Sequence, residues 1–305
     1  MVVVGAGVAG LACARELTRA GVAVRVLERG PAVGGRLAGL EVAGRAADVG
    51  AAYLTADDPV FVAQVRQWQA AGLARPWTDT LLAYDRGGPP RATTGPMRYA
   101  APGGLRALAE DLAAGLDVTL DCTVTELPHA DAVVLAMPGP QALPLLQAHP
   151  DTAVVAAARA QRWSPVLAVV LTYPDRSWPD LHGAFVNDHP VLATVCDDGD
   201  RHGDGAPVLV AHTNARFAAA HLDRPADAGP AVERAVRDLL GLPGPPASVA
   251  VRRWRHAQPT AQPDAPAFAL DAGIALAGDA FGRPRVQTAW LSGRAAGIAL
   301  AARLG

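Results

Sequence analysis

The chain contains no lysine: all 27 of its basic residues are arginine, set against 29 acids for a formal charge of −2 and a pI near 6.4. That balance gives no global basic field for holding nucleic acid or an anionic lipid surface, so neither is an expected partner. Cysteine is scarce as well. Cys13, Cys122 and Cys196 are odd in number and far apart, which is neither a disulfide framework nor a metal-ligand spacing, so each reads as a small buried hydrophobe and no metal is expected. Long hydrophobic runs are missing although half the residues are hydrophobic, and no apolar stretch reaches the ~18 residues that a bilayer span requires. The start of the sequence shows no charged n-region and no cleavage site of a secretory signal. A soluble, cytoplasmic protein is the expectation. Charged residues make up only 18%, which argues against disorder, and 305 residues suffice for a large core. Two domains are expected from that length, with one large α/β domain as the alternative.

What is present begins with a βαβ pattern. Val2 to Val4 is β-branched, Leu11 to Ala20 carries apolar residues at helical spacing until Gly21, and Val22 to Leu27 reads as a second strand. Such a unit marks a parallel sheet covered by helices. Gly103 to Ala113 predicts another helix, Val118 to Leu120 and Val124 to Leu127 two short strands, and Ala132 to Met137 a fully buried parallel strand. The middle differs. Pro165 to Thr172, Val191 to Val195, Val208 to His212 and Val249 to Trp254 are short strands with Pro, Gly and Asp between them, the spacing of an antiparallel sheet. Ala231 to Leu240 predicts a helix closed by Gly241 and Pro243. Ile274 to Ala277 returns to the buried strand style, and Thr288 to Leu304 predicts a last helix. The fold expected is therefore α/β: a Rossmann-like nucleotide domain split along the chain (residues 1–76, 97–155 and 269–305), with an inserted antiparallel-sheet plus helix substrate domain (77–96 and 156–268).

Gly5, Gly7 and Gly10 form G-x-G-x-x-G between a strand and a helix, the context in which that motif has a mechanism. Gly5 permits the tight turn, Gly7 the approach of backbone to a pyrophosphate, and Gly10 close helix–strand packing. The helix start at Val8 and Ala9 then faces the phosphates with free amides. Glu28 ends the second strand eighteen residues past Gly10, where an acid accepts both ribose hydroxyls. The fingerprint by itself does not choose between NAD and FAD.

The residues after Glu28 make that choice. Arg29 to Arg36 reads RGPAVGGR, which resembles the second nucleotide motif of FAD enzymes such as amine oxidases and phytoene desaturases. The resemblance implies that Gly34 and Gly35 pass close to the FAD phosphates, with Arg36 contacting them. Near the far end, ALAGD places Gly278 and Asp279 where these flavoproteins bind the phosphate and ribityl chain. Arg29, Gly50, Ala51, Val124, Val286, Gln287 and Thr288 are the further cofactor contacts this resemblance implies. Non-covalent FAD is the cofactor expected, since no Cys follows the Gly-Asp motif to link it.

A narrower resemblance runs over nearly the whole chain. Asp48 to Phe61 (DVGAAYLTADDPVF), Arg98 to Ala113, Arg252 to Pro259 (RRWRHAQP) and Gly278 to Gly297 look like renalase and its bacterial relatives. That family implies oxidation of an isomeric (2- or 6-) dihydro-NAD(P) by FAD to NAD(P)+, with O2 reduced to H2O2. Where its bacterial members carry an acid and a glycine at the start of the last helix, this chain has Gln287 and Thr288. Amine oxidases of the monoamine and polyamine type usually place a lysine at flavin N5, and no lysine exists here. A dihydropyridine needs no protein base, because losing hydride restores its aromaticity. A site of shape, stacking and hydrogen bonds suffices. Substrate contacts are expected from Tyr53, His212, Trp254, His256, Gln258 and Trp290, although either tryptophan also reads as core and His212 as a satisfied interior histidine. Arg252, Arg253 and Arg255 suit a dinucleotide phosphate or simply a wet strand face. Two alternatives stay open. One is a flavin amine oxidase or another FAD-dependent oxidoreductase or desaturase acting on a small biosynthetic molecule. The other is a non-enzymatic chaperone of the Rab GDP-dissociation-inhibitor kind, which shares the fold without FAD.

Overall fold

Strands without a polar face form where both sides are covered, and the runs VVV, VVL and IALA do so here at the centre of one sheet. The computed structural model describes residues 1–42, 44–85, 88–260 and 267–303. Six strands make the first sheet, in the order Phe268–Asp271, Ile274–Ala277, Val133–Leu135, Val2–Val4, Arg25–Leu27 and Asp117–Thr119. All its pairings are parallel except that of the edge strand Phe268–Asp271. Helix Val8–Arg19 follows the first strand, and helix Val286–Ala301 lies against it. Their backbones touch through small residues: a Cβ on Gly293 would stand 1.8 Å from the Ala9 carbonyl oxygen. The first and last helices are thereby fixed side by side. Among the described residues no helix is long and apolar enough to cross a membrane.

Seven strands make the second sheet: Ser248–Pro259, Trp163–Thr172, Val208–Thr213, Leu192–Asp197, Gly183–Val186, Arg75–Tyr84 and Arg91–Ala100, in that spatial order. It is antiparallel apart from the parallel pairing of Gly183–Val186 with Arg75–Tyr84. Alternation gives it two faces. Val169, Leu171, Leu209 and Ala211 pack under Val232 and Val236 of helix Gly229–Leu240, which ends at Gly241 with φ +63°. Ala168, Val170, Val208 and Val210 face the other way, onto Ala47 and Val49.

Two features depart from the sequence expectation. Val124 to Leu127 is not a strand: Asp121 takes φ +51°, and the Asp121 and Cys122 amides donate to the Gly30 and Glu28 carbonyls at 3.0 and 2.8 Å. Those bonds turn the chain off the sheet edge and lay it beside Glu28. Among the unforeseen elements are the ribbon Gly39–Val42 with Arg45–Asp48, helices Pro59–Ala70 and Ala153–Ala160, strands Gly183–Val186 and Phe268–Asp271, and the long hairpin Arg75–Ala100, of which the sequence suggested only that residues 77–96 belong with the second sheet.

Candidate active site

The three glycine-bearing motifs, widely separated in sequence, meet at one place. Gly5 takes φ +105°, and a Cβ there would press on the Ala136 carbonyl at 2.7 Å; one on Gly10 would overlap the Gly5 carbonyl at 1.9 Å. Glycine is therefore required at both by packing alone. Gly7 is different, because nothing lies within 4 Å of its missing Cβ. That open side, with the amides of Val8, Ala9 and Gly10 in a first turn that has no intrahelical acceptor for them, is a cradle for an anion. Gly34 donates its amide to the Ala6 carbonyl at 2.9 Å, and a Cβ on Gly35 would come 3.3 Å from the Gly7 Cα. Ala51 donates to the Arg36 carbonyl at 2.9 Å, and Gly50 packs too close to that same carbonyl for any side chain. Arg36 then crosses to the third motif. Its guanidinium grips Asp279 with two bonds of 2.8 and 2.5 Å, donates to the Ala257 carbonyl at 2.9 Å, and lies 5.0 Å over the Trp163 ring. Gly278 takes φ +156°, which L side chains rarely adopt, with open space before it, and its amide donates to Ser292 at 2.9 Å.

Glu28 stands at the end of its strand, and its two carboxylate oxygens accept the Ala6 and Gly30 amides at 2.8 Å each. Each oxygen keeps a further lone pair for a ribose hydroxyl. Val124 lies half-buried beyond Cys122, and its amide has no hydrogen-bond partner among the described residues. Arg29 is exposed. These residues fit an adenine dinucleotide: an open glycine cradle, free first-turn amides, and a carboxylate at the end of the second strand with lone pairs left for ribose hydroxyls.

The last helix begins at Val286 after an extended Arg285 and has no side-chain cap. Gln287 is buried, its Oε1 accepting the Asp57 and Asp58 amides at 2.8 and 3.2 Å and its amide nitrogen donating to the Asp57 carboxylate. Thr288 turns its hydroxyl back to the Arg283 carbonyl at 2.6 Å. Both side chains are engaged away from the helix axis, which leaves the first-turn amides as the polar groups of that end.

Sheet register assembles the facing wall. Phe185, Thr194, His212, Ala168 and Arg252 are cross-strand partners in one row. Partners share a face, and Ala168 packs on Ala47 and Val49, so the row faces the nucleotide-binding layer. His212 is in this row; its Nε2 is buried without a hydrogen-bond partner among the described residues, and burial first, then Arg201, pushes its pKa down to about 4. Trp254 donates to the Val49 carbonyl at 2.7 Å and carries Arg252 against its ring. His256 meets Trp163 edge-on beside the Arg36–Asp279 pair; burial, then Arg255, Arg29 and Arg36, lowers its pKa. Gln258 is exposed on the same strand, as are Arg252, Arg253 and Arg255. Tyr53 leans on Trp77 at 6.1 Å and under Arg98. Trp290 is apart from this wall, in the core against Phe61 at 5.5 Å.

Sequence reading missed a buried charge network at the joint of the two layers. Asp48 accepts the Leu105 amide at 2.9 Å and lies 3.1 Å from His202 Nε2. Asp198 pairs with Arg201, and with Arg45 at 2.5 Å, while Arg201 also donates to the Ala52 and Asp48 carbonyls at 3.0 Å each. Asp48, Asp198 and His202 converge as metal ligands would, yet two guanidiniums already hold the Asp198 carboxylate. The only sequence signal was the acid-rich run CDDGDRH, which reads as a turn.

Comparison with known proteins agrees with this geometry. A family model described as NAD(P)-binding Rossmann-like domain matches residues 3–68, and one described as flavin-containing amine oxidoreductase matches residues 83–297. Among solved structures, a protein assigned as a protoporphyrinogen oxidase from Exiguobacterium sp. 255-15 superposes with a TM-score of 0.76 at 15% identity. A double mutant of putrescine oxidase gives 0.78 at 15%, and wild-type putrescine oxidase bound to putrescine 0.74 at 16%. Each alignment covers 99% of this chain and 98% of the other. At such identities the likeness speaks for the fold.

Proposed function

The chain belongs to the flavin-containing amine oxidoreductase family, and from that premise we propose that it oxidises a small molecule held between its flavin and the row Phe185, Thr194 and His212. It is an FAD-dependent oxidoreductase. The observation that carries the proposal is the meeting of the fingerprint, the Gly34–Arg36 turn and Gly278–Asp279 at one place. When bound, FAD supplies the two-electron acceptor that takes hydride from the donor and passes the electrons to O2. The chain's part is to bind and orient. Glu28 holds the ribose hydroxyls, the Gly7 turn and the first-turn amides of Val8 and Ala9 the pyrophosphate, and Arg36 with Asp279 closes the middle of the cofactor by charge and hydrogen bonds, without a covalent link. The first-turn amides of Val286 and Gln287 would supply the helix-end polarity that stabilises negative charge on a bound flavin ring. His212 stays neutral near pH 7, so it offers a hydrogen bond to the donor rather than a charge.

Family membership supports an amine oxidase or a related biosynthetic oxidoreductase as the reaction class. A second reading, hydride transfer from an isomeric dihydro-NAD(P), is supported by the complete absence of lysine. Anaerobic stopped-flow mixing of the purified flavoprotein with amines, including benzylamine and spermine, and with dihydronicotinamide isomers separates the two. Rapid bleaching by an amine establishes the first; bleaching by the isomers alone establishes the second.

A further inference from the structure

Where the hairpin Arg75–Ala100 meets the loop bearing Tyr53, a charge is buried without a counter-ion among the described residues. Arg98 is 5% exposed, and its hydrogen bond among the described residues is one donation to the Asp79 carbonyl at 2.7 Å. Its Nε is buried and unpartnered, and no carboxylate of the described residues pairs with it. The guanidinium carbon stands 5.3 Å from the centre of the Tyr53 ring and 5.9 Å from that of Phe185. Aromatic rings attract the cation, but they do not fill the N–H donors in the guanidinium plane. The contrast with Arg201 is direct: that arginine, wholly buried, is met by Asp198 and two carbonyls. A buried cation left unpaired is strongly disfavoured unless a ligand completes it. Its surroundings say which ligand. Tyr53 follows the Gly50–Ala51 pair that abuts Arg36, and Phe185 belongs to the same cross-strand row as His212.

We propose that Arg98 anchors an oxyanion, a carboxylate or a phosphate, of the molecule that is oxidised; the proposal rests on the flavin-facing site described above. A planar guanidinium with free in-plane donors matches either oxyanion with two parallel hydrogen bonds. The same charge repels a cationic amine, so the donor of this chain is an anionic or zwitterionic molecule rather than a diamine. The chemistry at the oxidised carbon is left to the flavin and is the same for either oxyanion.

The test uses the FAD holoenzyme and four ligands built on one ring: benzoate, phenyl phosphate, benzamide and benzylamine. Each is titrated while the flavin absorption spectrum is followed, with calorimetry in parallel. The expected result is that at least one anion perturbs the flavin spectrum and binds tenfold or more tighter than benzamide and benzylamine. Arg98→Gln abolishes that preference, Arg98→Lys retains part of it, and FAD affinity is unchanged in both. Whichever of benzoate and phenyl phosphate binds tighter identifies the oxyanion. Equal binding of benzamide or benzylamine by the wild type, or undiminished anion binding by Arg98→Gln, overturns the proposal. Should Arg98→Gln fail to fold, the wild-type ranking and the Lys variant decide it. Anion binding that depends on Arg98 but leaves the flavin spectrum unmoved overturns the assignment to the oxidised molecule. A protein that takes up no FAD fails the reading of the site instead, and calorimetry still reports on Arg98.

Discussion

Single residues carry two kinds of burden in this site, holding the backbone in shape and presenting a group to a ligand, and Glu28 carries both. Its carboxylate accepts the Ala6 and Gly30 amides at 2.8 Å, so it fixes the fingerprint turn before any ribose arrives. Hydrogen bonds to a charged group contribute about 1.5–3 kcal/mol each, so Glu28→Ala is expected to weaken FAD binding tenfold or more. It also lowers the melting temperature of the apoprotein. Fluorescence titration with FAD measures the first effect, and unchanged affinity would remove Glu28 from the nucleotide site. His212 gives a pH dependence. Its folded pKa is pushed from 6.5 to about 4, so below pH 6.5 the unfolded chain binds a proton that the folded chain refuses. Stability from this group is complete above pH 6.5 and is lost as the pH falls from there to about 4. His212→Gln is expected to flatten the urea-unfolding free energy over that window; an unchanged slope places the histidine in contact with water. The fingerprint glycines and Glu28 stood out in the sequence because their pattern is local, whereas Arg36 stood out only through a resemblance, its partners Asp279 and Ala257 lying over two hundred residues away. Arg98 was not, since nothing in GPMRYAAP announces that its guanidinium lies between rings from residues 53 and 185.

At the scale of elements, the decisive contact is between the first helix and the last. Gly293 and Gly297 stand where a Cβ would meet the Ala9 and Cys13 carbonyl oxygens at 1.8 and 2.7 Å. Gly293→Ala therefore pushes helix Val286–Ala301 off helix Val8–Arg19, and overpacking of this kind typically costs about 1–3 kcal/mol. Because Ala9 belongs to the first turn of the fingerprint helix, stability and FAD affinity are expected to fall together. Urea unfolding and FAD titration on the same variant check this, and a drop in stability with full FAD affinity would separate the helix contact from the nucleotide site. Both helices were readable from apolar spacing, and the buried strands Val2–Val4, Val133–Leu135 and Ile274–Ala277 from their continuous apolar runs. Helix Pro59–Ala70 had signals that went unread: Asp58 accepts the Val60 and Phe61 amides, and Pro59 starts the helix. The hairpin Arg75–Ala100 had none, because its outer strand is mostly exposed and two register shifts interrupt its alternation.

At the scale of the molecule, the two layers are joined by a buried ion network. Asp198 sits on the inserted sheet's side, at the start of helix Asp198–His202, and Arg45 and Asp48 on the ribbon of the nucleotide-binding layer. Burial by itself would raise the Asp198 pKa, but Arg201, His202 and Arg45 outweigh it and hold the carboxyl below its ordinary 3.8. Its contribution is thus present above that pH and lost in stronger acid, a window separate from that of His212. Removing one partner of a buried pair typically costs about 3–5 kcal/mol, so Arg201→Met is expected to lower unfolding free energy by that order. The double variant Arg201→Met with Asp198→Asn, compared with Asp198→Asn alone, recovers part of the loss, since the carboxylate left with Arg45 as its sole guanidinium is removed as well and Arg45 keeps Asp204. Unfolding measurements on the three variants form a double-mutant cycle, and strict additivity would show that the pair does not couple.

The sequence by itself determined the nucleotide-binding half. A βαβ unit, a glycine fingerprint, an acid at the end of the second strand and a distant Gly-Asp are local patterns, and each needs only its neighbours in the chain to have its meaning. From them came the α/β class, a bound dinucleotide and the split of the first sheet across the chain, while the choice of FAD came from the resemblance of RGPAVGGR to FAD enzymes. Only the tertiary structure decided the substrate wall and the joint. Whether Tyr53, Arg98, Phe185 and His212 stand together depends on sheet register and on the hairpin's bulges, and whether Asp48 meets Asp198 depends on how two layers pack. These are contacts between residues far apart in sequence, and no local spacing encodes them. The absence of lysine is written in the sequence; that Arg98 is buried with no counter-ion among the described residues is known only from the folded chain.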